Sequence, residues 1–253
     1  MTVGRNAVKK VGILGCGAIG SLIARAVDER IVKCDELILY DNNPERTKDL
    51  QKSLHVKSQI VESVEDMIVN DPAIIVEAAS QQAVKEYLRK ILEADIEVII
   101  MSVGALLDMQ ISSRKIHTPS GAIGGIDAVR SAALAGIDEV TLTTRKNPEA
   151  LKTDKNAETI IYDGDAEMAV RLFPKEMNVA ATLALAVHPK KVKVRVISDP
   201  KVNRNVHEIR VVWTNGDIIL RFENDPHPDN PGTSALAAWS AIRLLEDLLE
   251  RTT

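Results

Sequence analysis

The sequence predicts an α/β chain in two parts, a doubly wound parallel sheet followed by an α+β region built on an open, mainly antiparallel sheet. Three observations predict it. Through residue 120, short apolar runs alternate with stretches of helical spacing, as parallel strands joined by crossover helices do. After Pro119 the strands alternate polar with apolar residues, the pattern of a sheet with one wet face. At 253 residues, 45% hydrophobic and 27% charged, the chain is long enough for two modest domains and too apolar for a disordered one. The expected domains are 1–120, 121–232 and a terminal helical segment, 233–253, that packs back on the first.

Val11–Leu14, Glu36–Tyr40, Ala73–Val76 and Glu97–Met101 read as strands, and Ile19–Asp28, Pro44–Leu54, Val64–Val69 and Gln81–Ala94 as the helices between them. Ser63 and Ser80 stand where a helix N-cap is wanted, and Pro44 at a favoured first-turn position. In the second part, Val192, Val194 and Val196 share one strand face and Lys191, Lys193 and Arg195 the other. Ile218, Leu220 and Phe222 oppose Arg221 and Glu223 in the same way, and Asn215-Gly216 is a two-residue hairpin signal. Thr233–Arg251 reads as a closing helix with Leu236, Trp239, Ile242 and Leu245 on its apolar face.

Charge and cysteine usage narrow the function. The 32 basic against 36 acidic residues give a net charge of −4, so no global positive field exists to attract nucleic acid or an anionic membrane. Arg5, Lys9 and Lys10 before Val11–Ile23 imitate a secretory leader, but the glycines at 12, 15, 17 and 20 break that reading. No apolar run approaches the roughly 18 residues of a membrane span. Two cysteines without a CxxC pair, Cys16 and Cys34, point to a reducing compartment, the cytoplasm. His55, His117, His188 and His227 are dispersed, so no protein metal site is expected.

Gly15-Cys16-Gly17-Ala18-Ile19-Gly20 matches G-x-G-x-x-G directly after a strand and at the entrance of a helix. The first glycine permits the tight turn, the second lets the backbone approach a pyrophosphate, and the third lets the helix pack closely on the strand. Asp41 ends the second strand about 20 residues further on, where a carboxylate can accept hydrogen bonds from a ribose. The arrangement is that of a Rossmann-type dinucleotide site, with NAD or NADP as cofactor. Asp41 should repel a 2′-phosphate, whereas Asn42, Asn43 and Arg46 could receive one, so either cofactor remains open. Cys16 is read as a small residue tolerated in the turn. Glu77, at the carboxyl end of a strand, faces the region where ligands sit in open α/β sheets and reads as a structural hydrogen-bonding group ahead of a functional one, Ser80 as a cap ahead of a substrate contact, and Asp127 and Asp199 as helix and turn caps.

Three segments of the second part stand out: SGAIGGIDA at Ser120–Ala128, NVAATLALA at Asn178–Ala186 and NVHEI at Asn205–Ile209. Together with GILGCGAIG, VEAAS at Val76–Ser80, SVGAL at Ser102–Leu106, ISDP at Ile197–Pro200 and NPGTS at Asn230–Ser234, they give a chain that resembles the L-aspartate dehydrogenase family over nearly its whole length. The resemblance implies NAD(P)-dependent oxidation of L-aspartate to iminoaspartate, which water converts to oxaloacetate and ammonia, with iminoaspartate also able to feed NAD biosynthesis. It implies a homodimer, a catalytic histidine at His207, and cofactor contacts at Ala122 and Asn178.

The residues read alone agree in part. On an alternating strand His207 shares its face with Ile209, Val211 and Trp213, which places the imidazole on the covered side, where it is either a satisfied core residue or a base near physiological pH. Asn178 opens an apolar helix, where an N-cap role and a cofactor contact can coexist. Ala122 can offer only backbone or close packing. Two other readings stand beside the first: a related two-domain dehydrogenase or reductase, such as one like dihydrodipicolinate reductase, and a non-catalytic dinucleotide sensor.

Overall fold

The computed structural model describes residues 8–109, 111–151, 153, 157–227 and 230–251. Arg5 of the leader-like N-terminus lies outside them. The chain divides into two compact units. The first runs through Ser102 and adds Ser112–Pro119 and the chain from Ala241; the second holds Val103–Ile111 and Ser120–Ser240. Val103–Ile111 therefore clusters with the second unit, although the sequence places it in the first part.

The first unit is a six-stranded sheet in the order β3-β2-β1-β4-β5-β6. Its strands are β1 (Lys10–Leu14), β2 (Glu36–Tyr40), β3 (Lys57–Ile60), β4 (Ile74–Glu77), β5 (Glu97–Ile100) and β6 (Ile116–His117), every pair parallel. Its crossover helices are α1 (Ala18–Asp28), α2 (Pro44–Lys52), α3 (Val64–Val69) and α4 (Gln81–Glu93). Central strands covered on both faces must be apolar throughout. Val11, Ile13, Leu37, Ile38, Leu39, Ile74, Ile75 and Val76 are all fully buried, which is why these strands read clearly as apolar runs. Each such side chain contributes about 1.5–3 kcal/mol. The sequence pattern misses β3, because Lys57-Ser58-Gln59-Ile60 is a half-exposed edge strand without an apolar run. Ser63 and Ser80 cap α3 and α4 through Asp66 N and Ala83 N, as expected, and Asn43 caps α2 ahead of Pro44.

In the second unit a five-stranded sheet has the order β11-β10-β7-β9-β8. The strands are β7 (Ile137–Lys146), β8 (Thr159–Asp165), β9 (Lys193–Ser198), β10 (Asn205–Trp213) and β11 (Gly216–Asn224). All pairs are antiparallel except β7 with β9. The helices are α5 (Ile126–Ala135), α6 (Pro148–Leu151), α7 (Ala166–Leu172) and α8 (Asn178–Val187), with a 3-10 turn at Val103–Leu107. A two-stranded ribbon, β12 (Pro226–His227) with β13 (Asn230–Ser234), precedes α9 (Ala235–Arg251). The inner face of the sheet is apolar along most of its length, with Val140, Leu142, Val194, Val196, Ile209 and Val211 all buried. α8 packs into the same core, and Ala180, Ala181, Leu183 and Val187 are buried there.

Three details depart from expectation. The β10–β11 hairpin closes on the Trp213–Gly216 pair, so its loop is Thr214-Asn215, with Gly216 at φ 145° just past it. Asp127 lies in the first turn of α5 and does not cap it, the cap position being taken by Gly125 in a left-handed conformation. On α9, Ile242 and Leu245 are buried as expected, but Leu236 and Trp239 are exposed, and Ala238, Ala241, Leu248 and Leu249 complete the buried stripe.

Candidate active site

The glycine turn in the first unit has the form that the sequence requires. Gly15 sits at φ 100°, and a Cβ there would lie 2.7 Å from the carbonyl oxygen of Ala78. At Gly20 a Cβ would stand 1.9 Å from the Gly15 carbonyl oxygen, so α1 approaches the turn as closely as a bare backbone allows. Gly17 is different, for its Cβ would meet nothing within 4 Å. Gly17 is also the N-cap of α1 and makes no side-chain cap hydrogen bond, so no side chain at that position closes off the start of the helix. An open cradle lined by backbone donors fits a diphosphate. The turn thus fits the dinucleotide that the sequence implies.

Asp41 holds this turn from the end of β2. Its Oδ2 accepts from Cys16 N and its Oδ1 from Asn43 N, each at 2.8 Å, and Arg46 Nη1 lies 4.0 Å from Oδ2. A carboxylate has about four lone-pair directions, so two bonds leave capacity for ribose hydroxyls. Burial pushes the Cys16 thiol up to about 12, so a helix N-terminus does not activate it.

Glu77 ties two further loops of the first unit together. Its Oε1 accepts from Ala79 N, Ser80 N and Ser102 Oγ, and its Oε2 from Ser102 N, all within 2.9 Å. Burial raises its pKa, and the four donors work against that rise. Its two oxygens are committed to fixing the backbone after β4 and β5, the structural role read from the sequence.

In the second unit the inner face of the sheet changes character at one end. Thr144 and Lys146 follow Val140 and Leu142 on β7, Ser198 follows Val196 on β9, and His207 and Asn205 precede Ile209 on β10, all buried. The register pairs Thr144 with His207, and Lys146 with Ser198. Thr144 Oγ1 lies 3.0 Å from His207 Nδ1. His207 is 4% exposed and Lys146 only 2%, so this polar cluster lies beneath the surface. Burial first, and the Lys146 charge second, push the imidazole down to about 3. The ring is therefore neutral, but it is not poised near physiological pH as the sequence suggests. Strand alternation finds the covered face; it does not reveal the lysine that shares it.

Asn205 Nδ2 donates to Ser234 Oγ at 3.4 Å, and the β11 partner of Asn205 is Asn224, whose Nδ2 donates to the Ala122 carbonyl at 2.9 Å. The glycine-rich segment around Ala122 is thereby tied to the polar end of the sheet, with Gly121 and Gly125 at φ 72° and 68°. Asn178 is the first residue of α8, with Met177 in the cap position, and its Oδ1 accepts from Gly104 N at 3.3 Å. It tethers the 3-10 turn to α8 instead of capping the helix. No hydrogen bond joins Ala122 or Asn178 to His207 among the described residues. Asp199 serves as the expected turn cap, accepting from Lys201 N, and also pairs with Arg145.

Thr144, Lys146 and Ser198 escape the motif reading. One signal could have found the first two: a threonine and a lysine continuing the apolar face of β7 at period two. Among the described residues no group of three or more histidines, cysteines or carboxylates is disposed to hold a metal ion, and no helix is long and apolar enough to cross a membrane.

Comparison with known proteins agrees with both halves. Residues 127–248 match the aspartate dehydrogenase C-terminal family, and residues 15–118 the homoserine dehydrogenase NAD-binding domain family. An L-aspartate dehydrogenase of Methanosarcina barkeri is 41% identical, covering 95% of this chain and 97% of its own length. One from Methanocaldococcus jannaschii is 38% identical over the same shares. The crystal structure of aspartate dehydrogenase from Thermotoga maritima superposes with a TM-score of 0.74 at 29% identity, covering 95% of this chain and 96% of that one. On this combination of a family match across the second unit and relatives spanning the full length, the chain belongs to the L-aspartate dehydrogenase family.

Proposed function

We propose that the protein oxidises L-aspartate to iminoaspartate with NAD or NADP, and that iminoaspartate is then hydrolysed to oxaloacetate and ammonia. The observation that carries this reading is His207, a buried neutral imidazole held by Thr144 at the polar end of an otherwise apolar sheet face. Bound dinucleotide supplies the acceptor for the hydride leaving aspartate Cα. Gly15, Gly17, Ala18, Ile19 and Gly20 would cradle its diphosphate and Asp41 would receive its adenosine ribose, while Ala122 and Asn178 are the further cofactor contacts that the family resemblance implies. Arg46 beside Asp41 offers a cation to a 2′-phosphate, so both cofactors are compatible with the turn.

His207 works as a base toward water. With Nδ1–H donating to Thr144 Oγ1, the Nε2 lone pair can take the proton of the water that adds to the imine carbon. The imidazolium returns that proton to the amine nitrogen, and collapse of the adduct, with the hydroxyl proton passing to the leaving nitrogen, expels ammonia and leaves oxaloacetate. A proton acceptor near 3 is weak, but a substrate bearing two carboxylates brings negative charge into the cluster and raises the basicity of the ring when it is needed. The protein acts as a cytoplasmic homodimer, and iminoaspartate can be passed to NAD biosynthesis.

The test is a panel of purified protein with aspartate and either cofactor, and with oxaloacetate, ammonia and the reduced cofactors in reverse. Aspartate-dependent reduction is expected. Cofactor binding without turnover of any panel member would favour a sensor, and turnover of a different acid alone would favour another reductase.

A further inference from the structure

We propose that Asn224 is a positioning residue for the reaction: its amide fixes the glycine-rich segment Ser120–Gly125 at the His207 end of the second sheet, and that segment receives the nicotinamide riboside of the cofactor. The inference rests on the proposed reaction. In that reading the first unit provides for the diphosphate and the adenosine ribose, which leaves the nicotinamide riboside to contacts such as Ala122.

The segment is laid along one strand. On the edge strand β11, half-buried Leu220, Phe222 and Asn224 alternate with exposed Arg221 and Glu223, so the three share the inner face. Their register partners on β10 are Ile209, His207 and Asn205. The segment follows them in reverse order. The Ala122 carbonyl accepts from Asn224 Nδ2 at 2.9 Å, a Cβ at Gly124 would lie 3.4 Å from the Phe222 ring, and one at Gly125 would stand 2.9 Å from Leu220. Ile123, between these contacts, is buried in the core. Gly124 therefore sits against the ring that pairs with His207, and Asn224 holds the chain two residues away.

The choice of asparagine follows from what it holds. The apolar face of β11 turns polar at this position, where the amide gives a donor to the carbonyl of a residue only 6% exposed. The neighbouring N–H is held as well: Gly121 N donates to Ser240 Oγ at 3.0 Å, and that hydroxyl donates to the Ala237 carbonyl within α9. Side chains from β11 and α9 thus fix two adjacent residues of a segment whose glycines have no side chains to lock them. A contact made through backbone is only as well placed as that backbone, and a displacement of about 1 Å can cost about 10² in rate.

Asn224→Asp keeps the shape and sets an acceptor against the Ala122 carbonyl in place of the donor. Two ligands are measured on the full chain. The reduced cofactor that binds more tightly is titrated by its fluorescence. ADP, which carries the adenosine ribose and diphosphate without the nicotinamide riboside, is measured by its displacement of that cofactor. In Asn224→Asp cofactor affinity should fall roughly tenfold while ADP affinity stays within about twofold of the natural protein's. A role in the fold alone would lower the melting temperature and both affinities together. Should that variant fail to fold, Ser240→Ala carries the test: it frees Gly121 N and should show the same split at about fivefold. Equal losses for both ligands or an unchanged cofactor affinity in the folded variant, or a natural protein that binds the cofactor no more tightly than ADP, overturns the inference. The function reading is judged separately: aspartate turnover with no such split removes only the asparagine's role, whereas the split without aspartate turnover removes only the reaction.

Discussion

Glu77 in the first unit and His207 in the second are both buried ionisable groups at strand ends, yet their surroundings are opposite. Glu77 meets four donors, which commit both its oxygens to backbone and serine. His207 meets one partner, Thr144 at Nδ1, and the other ring nitrogen makes no protein hydrogen bond among the described residues. A buried group satisfied by its own chain holds the fold in place. One left with an open valence is available for a ligand. The contrast predicts that removing the first damages stability and removing the second damages turnover.

The largest effect should come from His207→Asn. Loss of a general base costs about 10²–10⁴ in kcat. Cofactor affinity, read by fluorescence titration, should stay near that of the natural protein, and near-native turnover would end the catalytic reading. The histidine also makes stability depend on pH. The folded ring stays neutral down to about 3, whereas an unfolded one takes a proton near 6.5, so the unfolded state binds more protons between those values. Stability from this group is therefore full above 6.5 and falls as the pH drops toward 3. Melting temperatures across that window should fall more steeply for the natural protein than for His207→Asn.

Glu77→Ala should reverse the pattern. It leaves three backbone N–H groups and a serine hydroxyl without their acceptor, a loss of about 3–5 kcal/mol. In a chain of this size that lowers Tm by roughly 6–15 °C. A change of less than 2 °C would show that the carboxylate is not the fastening the geometry implies.

The two glycines of the turn separate fold from binding on a smaller scale. Gly20→Ala forces a methyl onto the Gly15 carbonyl and should cost both stability and cofactor affinity. Gly17→Ala meets open space, so calorimetry should show a loss of about 1 kcal/mol or less while dinucleotide affinity falls clearly. Equal losses in both variants would mean that the space beside Gly17 is not where the diphosphate lies. The smallest effect belongs to Thr144→Val, which keeps the shape but removes the oxygen at Nδ1. A loss of about 1 kcal/mol in the transition state, about fivefold in kcat with KM held, is expected from one hydrogen bond. An unchanged kcat would release His207 from its proposed orientation.

How much of this was legible in the sequence depended on how far apart the cooperating residues lie. The phosphate turn occupies consecutive positions and acts through backbone, so glycine spacing and Asp41 reveal it. The parallel strands of the first unit are buried on both faces and read as apolar runs, but β3 is a polar edge and does not. His207 could be placed on a covered face by alternation, yet its basicity depends on Lys146, 61 positions earlier in the chain and brought alongside only by the β7–β10 pairing. Thr144 and Ser198 enter the cluster in the same non-local way. Asn178 shows the limit at a helix boundary: its side chain bonds back to Gly104, and no local pattern distinguishes that from a cap.

The two thiols bear on how the protein can be studied. Cys16 and Cys34 are both buried in the first unit, and burial holds them at about 12 and 11, so neither offers a thiolate to an alkylating reagent or to peroxide while that unit is folded. Labelling by iodoacetamide must wait for the nucleotide-binding half to open. Its rate is a clock for that half alone, against which the melting of the other half can be timed in the same tube.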